Sequence, residues 1–90
     1  MSEKESWTVY IVETESGKLY TGITTDLDRR FKEHLDKKRG AKFFSISAPK
    51  QILFQESHSN RSEASIREAE IKRMSRPQKL ALINSSDLQQ

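Results

Sequence analysis

The stretch WTVYIVETESGKLYTGIT, residues 7–24, decides the fold of this chain. Its two ends, residues 7–14 and 18–24, are rich in the β-branched and aromatic side chains that are typical of strands. Between them, residues 15–17 read Glu-Ser-Gly, which is a tight-turn signal. Two strand-like runs around a short loop that contains glycine predict a β-hairpin.

Three residues of this predicted hairpin are candidates for function. With the turn at residues 15–17, positions whose numbers sum to about 30–32 face each other, so Tyr10 and Tyr20 are expected close together across the sheet. Gly22 interrupts the second strand, and a glycine inside a strand often marks a bulge or a place where another backbone or a ligand comes close. A strand tyrosine is most often a packing residue with a solvated hydroxyl, so the spacing alone assigns no role.

A first helix is predicted directly after the hairpin. Thr25 or Asp26 can cap its first turn, and the helix is expected to end near Lys37 or Lys38. Gly40 is a plausible stop. An apolar residue recurs every fourth position along this helix: Leu27, Phe31 and Leu35. This spacing is typical of a helix with one buried face.

The second half of the chain predicts one more strand. Residues 50–58 form it, with Ile52 and Phe54 on one face and Leu53 on the other. Residues 43–46 form either a short helical turn or an irregular segment.

Two more helices follow this third strand. Asn60 or Ser62 caps the second helix, and Asn60 and Glu63 have the spacing of a capping box. We expect that helix to reach about Met74, and Ser75 to cap a short third helix.

The predicted order ββαβαα indicates an α+β fold, a small three-stranded antiparallel sheet flanked by helices. With 90 residues, the chain has room for one domain. We place it at residues 7–83, after a flexible N-terminus at 1–6 and before a frayed C-terminal tail at 84–90.

The composition excludes several classes of protein. The chain contains no cysteine, which excludes disulfides, thiolate nucleophiles and zinc–thiolate sites. Its apolar runs are too short to span a membrane, and its polar N-terminus does not resemble a secretion signal. We therefore expect a cytoplasmic protein that does not contact a membrane.

The basic residues are concentrated in the middle of the chain. Residues 29–50 carry eight basic and two acidic side chains, against a net charge of +3 for the whole chain. Such a block attracts polyanions, although a solvated helix face followed by a charged loop would look the same. The residues that we expect to contact nucleic-acid phosphates are Arg29, Lys37, Lys38, Arg39 and Lys42.

The two helices also carry groups that can join the tyrosines. Arg30 and His34 are spaced i, i+4 on the first helix and therefore share a face. Glu68 lies beside Ala64 near the buried edge of the second helix. Each has a simpler interpretation, because Glu68 can pair with Lys72 one turn later and an isolated histidine or arginine is often structural.

The order and spacing of four short motifs resemble the GIY-YIG nuclease family. Val9-Tyr10-Ile11 and Tyr20-Thr21-Gly22 resemble its two name motifs, and Leu27-Asp28-Arg29-Arg30 with His34 resembles its first helix. Residues 64–72, ASIREAEIK, resemble its metal-binding helix. The resemblance covers roughly residues 7–83 and is closest to single-domain YhbQ-like members.

The resemblance implies a role for each matching position. It places Tyr10, Tyr20, Arg30 and His34 in a catalytic site and makes Glu68 the ligand of one divalent cation, Mg²⁺ or Mn²⁺. Gly22 belongs to the second name motif. The chain departs from the family pattern in three ways. Val9 stands where the first motif opens with glycine, and Ile23 stands where some repair nucleases carry a lysine. The asparagine that often follows the metal-binding helix has no clear counterpart.

The resemblance implies an endonuclease that hydrolyses phosphodiester bonds with the help of a metal ion. We expect DNA rather than RNA as substrate, selected by structure rather than by sequence, with a protein partner as a second means of targeting. The alternative is a nucleic-acid-binding module with a nuclease-like fold that does not cut. A protein–protein adaptor is a third class. The enzyme is favoured because all five site positions hold chemically competent residues.

Overall fold

The computed structural model describes residues 6–36 and 47–88. Three strands and three helices follow one another in the predicted order ββαβαα. They are β1 (Trp7–Thr14), β2 (Leu19–Thr24), α1 (Leu27–Leu35), β3 (Pro49–His58), α2 (Arg61–Lys72) and α3 (Arg76–Leu88). None of the helices in these two ranges has the length and apolar character needed to cross a bilayer.

The hairpin forms where the sequence predicts it. Gly17 takes the left-handed conformation that the turn requires, with φ of 88°, and its N–H donates to the Thr14 carbonyl. The register of β1 and β2 places Tyr10 opposite Gly22 and Val12 opposite Tyr20. The two tyrosines are therefore diagonal neighbours on one face of the sheet.

The sheet has the order β2-β1-β3, and both pairings are antiparallel. Because β1 is central and covered on both sides, its residues 9–12 are all buried. Val9 and Ile11 face α2 and α3 in a core that is apolar at its centre. Tyr10 and Val12 face the opposite side, where α1 packs. One face of β1 thus packs into an apolar core, and its other face carries buried polar groups.

A bulge in β3 makes one prediction wrong. Ile11 pairs with Phe54 whereas Val12 pairs with Ile52, so Leu53 is an extra residue in the ladder. An extra residue reverses the alternation of side chains beyond it. Ile52 consequently packs on the face of α1, while Leu53 and Phe54 both pack on the opposite face. Ile52 and Phe54 therefore do not share a face.

The helix caps follow the sequence closely. The Asp26 carboxylate accepts from the Arg29 N–H at the start of α1, and the Asn60 side chain accepts from the Glu63 N–H at the start of α2. At the start of α3, the Ser75 N–H donates to the side-chain oxygen of Gln78, and the Gln78 N–H donates to the Ser75 hydroxyl oxygen. Each bond satisfies a backbone group that a helix end leaves without a partner.

The helix lengths differ from the prediction. α1 ends at Leu35, and the predicted end at Lys37 or Lys38, the stop at Gly40 and the segment 43–46 lie outside the described residues. α3 has 13 residues rather than a few, because no glycine or proline after Pro77 interrupts it.

The predicted apolar stripe of α1 is also only partly correct. Leu27 and Phe31 pack against the sheet, but Leu35 is 54% exposed and His34 is buried. The last turn of α1 therefore turns its imidazole, rather than its leucine, toward β1.

Candidate active site

The side chain of Tyr10 lies directly over Gly22. A Cβ atom added at Gly22 would lie 2.6 Å from the Tyr10 hydroxyl oxygen and 2.7 Å from Cζ. These separations are well inside the ordinary 3.5–4.0 Å contact between heavy atoms. Gly22 is therefore required by the position of the phenol, and the group that approaches this glycine is a side chain of β1 rather than a backbone or a ligand.

Tyr10 and His34 form a buried hydrogen-bonded pair. The Tyr10 hydroxyl and the Nε2 atom of His34 are 2.9 Å apart, and each residue is only 1% exposed. Tyr20 completes a cluster of three rings, since its centroid lies 6.3 Å from that of Tyr10 and 5.4 Å from that of His34. The Tyr20 and His34 rings meet edge to face, which is a favourable arrangement for aromatic rings.

Arg30 reaches the same phenol from one turn earlier on α1. Its guanidinium donates a hydrogen bond to Tyr10 and another to Glu33, at 2.8 Å. The side chains of Arg30 and Glu33 are about 30% exposed. Since a guanidinium can only donate, the arrangement favours a Tyr10 hydroxyl that accepts from Arg30 and donates to His34.

Burial raises the pKa of the Tyr10 phenol to about 12. The neighbouring Tyr20 and the Glu68 carboxylate raise this pKa further, whereas the hydrogen bond and positive charge of Arg30 lower it. A group with this pKa keeps its proton at neutral pH in the free protein. Tyr10 therefore needs a proton acceptor beside it before it can take a proton from water.

Burial also lowers the pKa of His34, to about 4. The positive charge of Arg30 lowers it further, and Glu33 opposes this effect. The imidazole is consequently neutral at pH 7 and has one ring nitrogen free of a proton. If that nitrogen is Nε2, it can accept the proton of the Tyr10 hydroxyl.

Glu68 joins this group electrostatically, from a helix on the other face of the sheet. α2 packs through Ala64 and Ile71 against the core that contains Val9 and Ile11. The Glu68 carboxylate nevertheless lies close enough to Tyr10 to raise the pKa of its phenol. Its side chain is 23% exposed and pairs with the Lys72 ammonium at 3.3 Å. The Glu68 carboxylate thus forms an ion pair with Lys72 on its own helix and also interacts electrostatically with the Tyr10 phenol.

The donor set at Glu68 fits a hard divalent cation. Across residues 6–36 and 47–88, no three His, Asp or Glu side chains come together as a ready-made metal cage. A single partly exposed carboxylate suits Mg²⁺, which binds oxygen and retains several of its waters. Mn²⁺ accepts the same ligands.

The structure places the remaining sequence-predicted residues only in part. Arg29 is 61% exposed on α1 and lies 3.9 Å from the Glu33 carboxylate. The other predicted phosphate contacts lie outside the described residues: Lys37, Lys38, Arg39 and Lys42. Sequence reasoning missed Glu33, which contacts two arginines, although its i+3 and i+4 spacing to them was a signal.

Comparison with known proteins gives the class to which this fold and this cluster belong. The sequence profile of the GIY-YIG catalytic domain matches residues 6–81. The chain belongs to the GIY-YIG family, which is a family of nucleases, and the resemblance drawn from its short motifs is confirmed.

Within that family the chain is similar to UPF0213 proteins. One from Cupriavidus necator is 46% identical over 81 residues, which cover 90% of this chain and 87% of that protein. One from Desulfotalea psychrophila is 40% identical and covers 96% of this chain and 78% of its own length. The solution NMR structure of a UPF0213 protein from Bacillus halodurans matches with a TM-score of 0.57 and 38% identity, over 88% of this chain and 83% of that one. The chain belongs to this YhbQ-like group, and its predicted fold class is confirmed.

Proposed function

We propose that this protein is a metal-dependent endonuclease that hydrolyses phosphodiester bonds of DNA and selects its substrate by structure. The observation that carries the proposal is the buried hydrogen bond between Tyr10 and His34, with Arg30 bonded to the same phenol. Membership of a nuclease family supports it independently. A buried phenol–imidazole pair at a partly exposed arginine is an arrangement suited to moving a proton beside a phosphate.

Arg30 is the group that would hold the phosphate. Its planar fork matches phosphate oxygens, and Glu33 fixes its orientation through the 2.8 Å hydrogen bond. The side chain is 30% exposed, so a nucleic-acid strand can reach it without unfolding α1. A phosphate bound there would place its negative charge beside Tyr10 and His34.

Tyr10 and His34 would then activate the attacking water as a relay. The hydroxyl oxygen of Tyr10 takes a proton from the water while the hydroxyl gives its own proton to Nε2 of His34, which becomes an imidazolium. The nearby phosphate charge favours this cation and raises the pKa of His34 from its low value in the free protein. Tyr20 packs edge-on against the imidazole and holds its ring in place.

Glu68 is the residue that would hold the divalent cation. When bound, a divalent cation stabilises the charge that develops on the leaving oxygen. The pairing of Glu68 with Lys72 means that the carboxylate must be released, or shared, for the cation to bind.

The binding-module alternative is favoured by one observation, the position of α2. The helix that carries Glu68 packs on the face of the sheet opposite to Tyr10, and Glu68 has an ammonium partner in Lys72. If Glu68 never reaches the bound phosphate, the protein would hold nucleic acid at Arg30 without cutting it.

The substitution Glu68→Gln separates the two functions. The protein is incubated with labelled single-stranded, duplex, branched and RNA substrates, with Mg²⁺, with Mn²⁺ and with chelator. We expect metal-dependent cleavage of DNA by the wild type, no cleavage by Glu68→Gln, and unchanged unfolding in urea. Glu70→Gln is the matched control, since Glu70 is exposed on the same helix. Cleavage in excess chelator would refute the metal-dependent mechanism, and binding without cleavage under every condition would establish the alternative.

A further inference from the structure

A basic cavity lies at the turn end of the hairpin, where the start of α3 meets the start of β2. It has a volume of about 240 Å³ and is open to the surface. Its described lining is Lys18, Leu19, Arg76 and Lys79. Three of these four residues are cations, and none is a carboxylate. Its walls come from two segments almost 60 positions apart in the chain, which the fold brings together.

Other surface cavities of the protein have a different charge pattern. One on α1 is lined by Arg29 and Lys32 together with Glu33 and Asp36. One beside α2 contains Arg67 between glutamates. In those cavities the basic side chains already have acidic neighbours, as expected of a solvated surface.

The cations at the start of α3 have no such counterions in the described chain. No carboxylate of residues 6–36 and 47–85 forms an ion pair with Lys18, Arg76 or Lys79, whereas Arg67 and Lys72 are both paired. Three unneutralised cations around one concave surface produce a positive potential that attracts an anion. The N-terminal end of the 13-residue α3 contributes further positive charge.

The cavity stands at a defined spacing from the Tyr10 site. Lys18 precedes Gly22 by four residues, and an extended chain rises about 3.3 Å per residue, so the two positions are roughly 13 Å apart. Tyr10 lies directly over Gly22. Because α3 packs on the other face of the sheet, a nucleic-acid strand bound at Tyr10 must pass over the edge strand β2 to reach the cavity.

We propose that the cavity formed by Lys18, Arg76 and Lys79 binds a backbone phosphate of the same nucleic-acid strand, beyond the phosphodiester held at Tyr10. This inference rests on the proposed function, and it adds a second point of contact that sets the length and direction of the bound strand. The contact is to phosphate, so it positions the strand without reading its sequence.

The test measures binding rather than cleavage. The affinity of wild-type protein for fluorescent oligonucleotides of increasing length is measured by anisotropy in chelator, over a range of salt concentrations. The variant is Lys18→Gln/Lys79→Gln, and the matched control is Lys50→Gln, an exposed lysine on β3 at the opposite edge of the sheet. Urea unfolding of all three proteins establishes that the folds are equally stable.

We expect the double variant to show a weaker salt dependence than the wild type. The slope of log affinity against log salt should fall by roughly 0.9 for each phosphate that the variant no longer neutralises on duplex DNA, or about 0.7 on single strands. Wild type and Lys50→Gln should gain affinity in a step when the strand becomes long enough to reach the cavity, and the double variant should lack that step. Equal slopes and equal length profiles in all three proteins would overturn the inference.

These outcomes are independent of the proposed chemistry. If no substrate is cleaved under any condition but the length step depends on Lys18 and Lys79, the endonuclease proposal fails and the phosphate site stands. If cleavage depends on Glu68 but the step does not depend on the two lysines, the phosphate site fails and the endonuclease stands.

Discussion

Gly22→Ala is the substitution whose effect follows most directly from the structure. The new Cβ would lie 2.6 Å from the Tyr10 hydroxyl oxygen, so the phenol must retreat by roughly 1 Å to restore ordinary contact. That movement would stretch the 2.9 Å bond to His34 beyond hydrogen-bonding distance. Loss of a buried hydrogen bond costs about 1–3 kcal/mol, and overpacking costs about as much again. We therefore expect Gly22→Ala to destabilise the protein by about 2–6 kcal/mol.

The cost should depend on the phenol and not on the backbone. Among the described residues only Gly17 has a left-handed backbone. Gly22 does not, so its backbone conformation is open to alanine. In a Tyr10→Leu background the atoms that meet the new Cβ are absent. Alanine in a strand is favoured over glycine by roughly 0.5–1 kcal/mol. Gly22→Ala should therefore become neutral or stabilising in that background.

A double-mutant cycle measures this coupling by urea unfolding of four proteins: the wild type, Gly22→Ala, Tyr10→Leu and the double variant. The single tryptophan, Trp7, is the fluorescent probe. Gly17→Ala is the matched control, because its Cβ would meet no atom within 4 Å but its φ is 88°. We expect that control to cost about 1–2 kcal/mol with or without the Tyr10 phenol. An equal cost of Gly22→Ala in both backgrounds would refute the steric explanation.

Three further predictions concern other groups of the molecule. Folding lowers the pKa of His34 from 6.5 to about 4, so between these pH values the unfolded chain binds a proton that the folded chain does not. The free energy of unfolding should therefore fall by roughly 3 kcal/mol as the pH is lowered from 6.5 to 4. Urea titrations of His34→Gln should lack that part of the fall. Lys72→Gln removes the ammonium beside Glu68 and should lower the Mg²⁺ concentration for half-maximal cleavage about twofold. An unchanged Mg²⁺ concentration would contradict the role of Glu68. Asn60→Ala should cost about 1 kcal/mol in thermal unfolding through loss of the cap, whereas Asn60→Ser should cost almost nothing.

The elements that the sequence predicts well are those with local signals. The hairpin follows from the turn at Glu15-Ser16-Gly17 and from the composition of its two strands, and the helix starts follow from side chains that bond the next turn. Asp26, Asn60 and Ser75 all cap as expected. These interactions join residues only three positions apart, so they are visible without knowledge of the tertiary structure.

The features that could not be predicted depend on contacts between distant segments. The bulge at Leu53 exists because β3 must follow the twist of β1 while it places Phe54 under α2 and Ile52 under α1. In the sequence, Ile52, Leu53 and Phe54 form one uninterrupted apolar run, which does not show where a bulge falls. Burial of His34 in place of Leu35 likewise depends on where α1 crosses the sheet, because the residues three and four positions after Phe31 both lie near its face of the helix.

The candidate site was predictable to the extent that it follows the strand register. The predicted hairpin placed Tyr10 and Tyr20 close together across the sheet, and the register then shows Gly22 opposite Tyr10. It could not show that Arg30 is held by Glu33, because that contact depends on rotamers. Nor could it show how Glu68 approaches the phenol from a helix on the other face.

The two faces of β1 differ in a way that stability alone does not explain. One face buries Val9 and Ile11 in a core whose fully buried members are apolar. The other buries the Tyr10 hydroxyl and the His34 ring, which are costly to remove from water; their mutual hydrogen bond and the hydrogen bond from Arg30 offset part of that cost. Apolar residues of similar volume would avoid that cost. This buried polar pair lies next to a glycine that leaves room for it, Gly22, and an arginine that opens it to the surface, Arg30. The proposed proton transfer therefore explains the pair better than folding does.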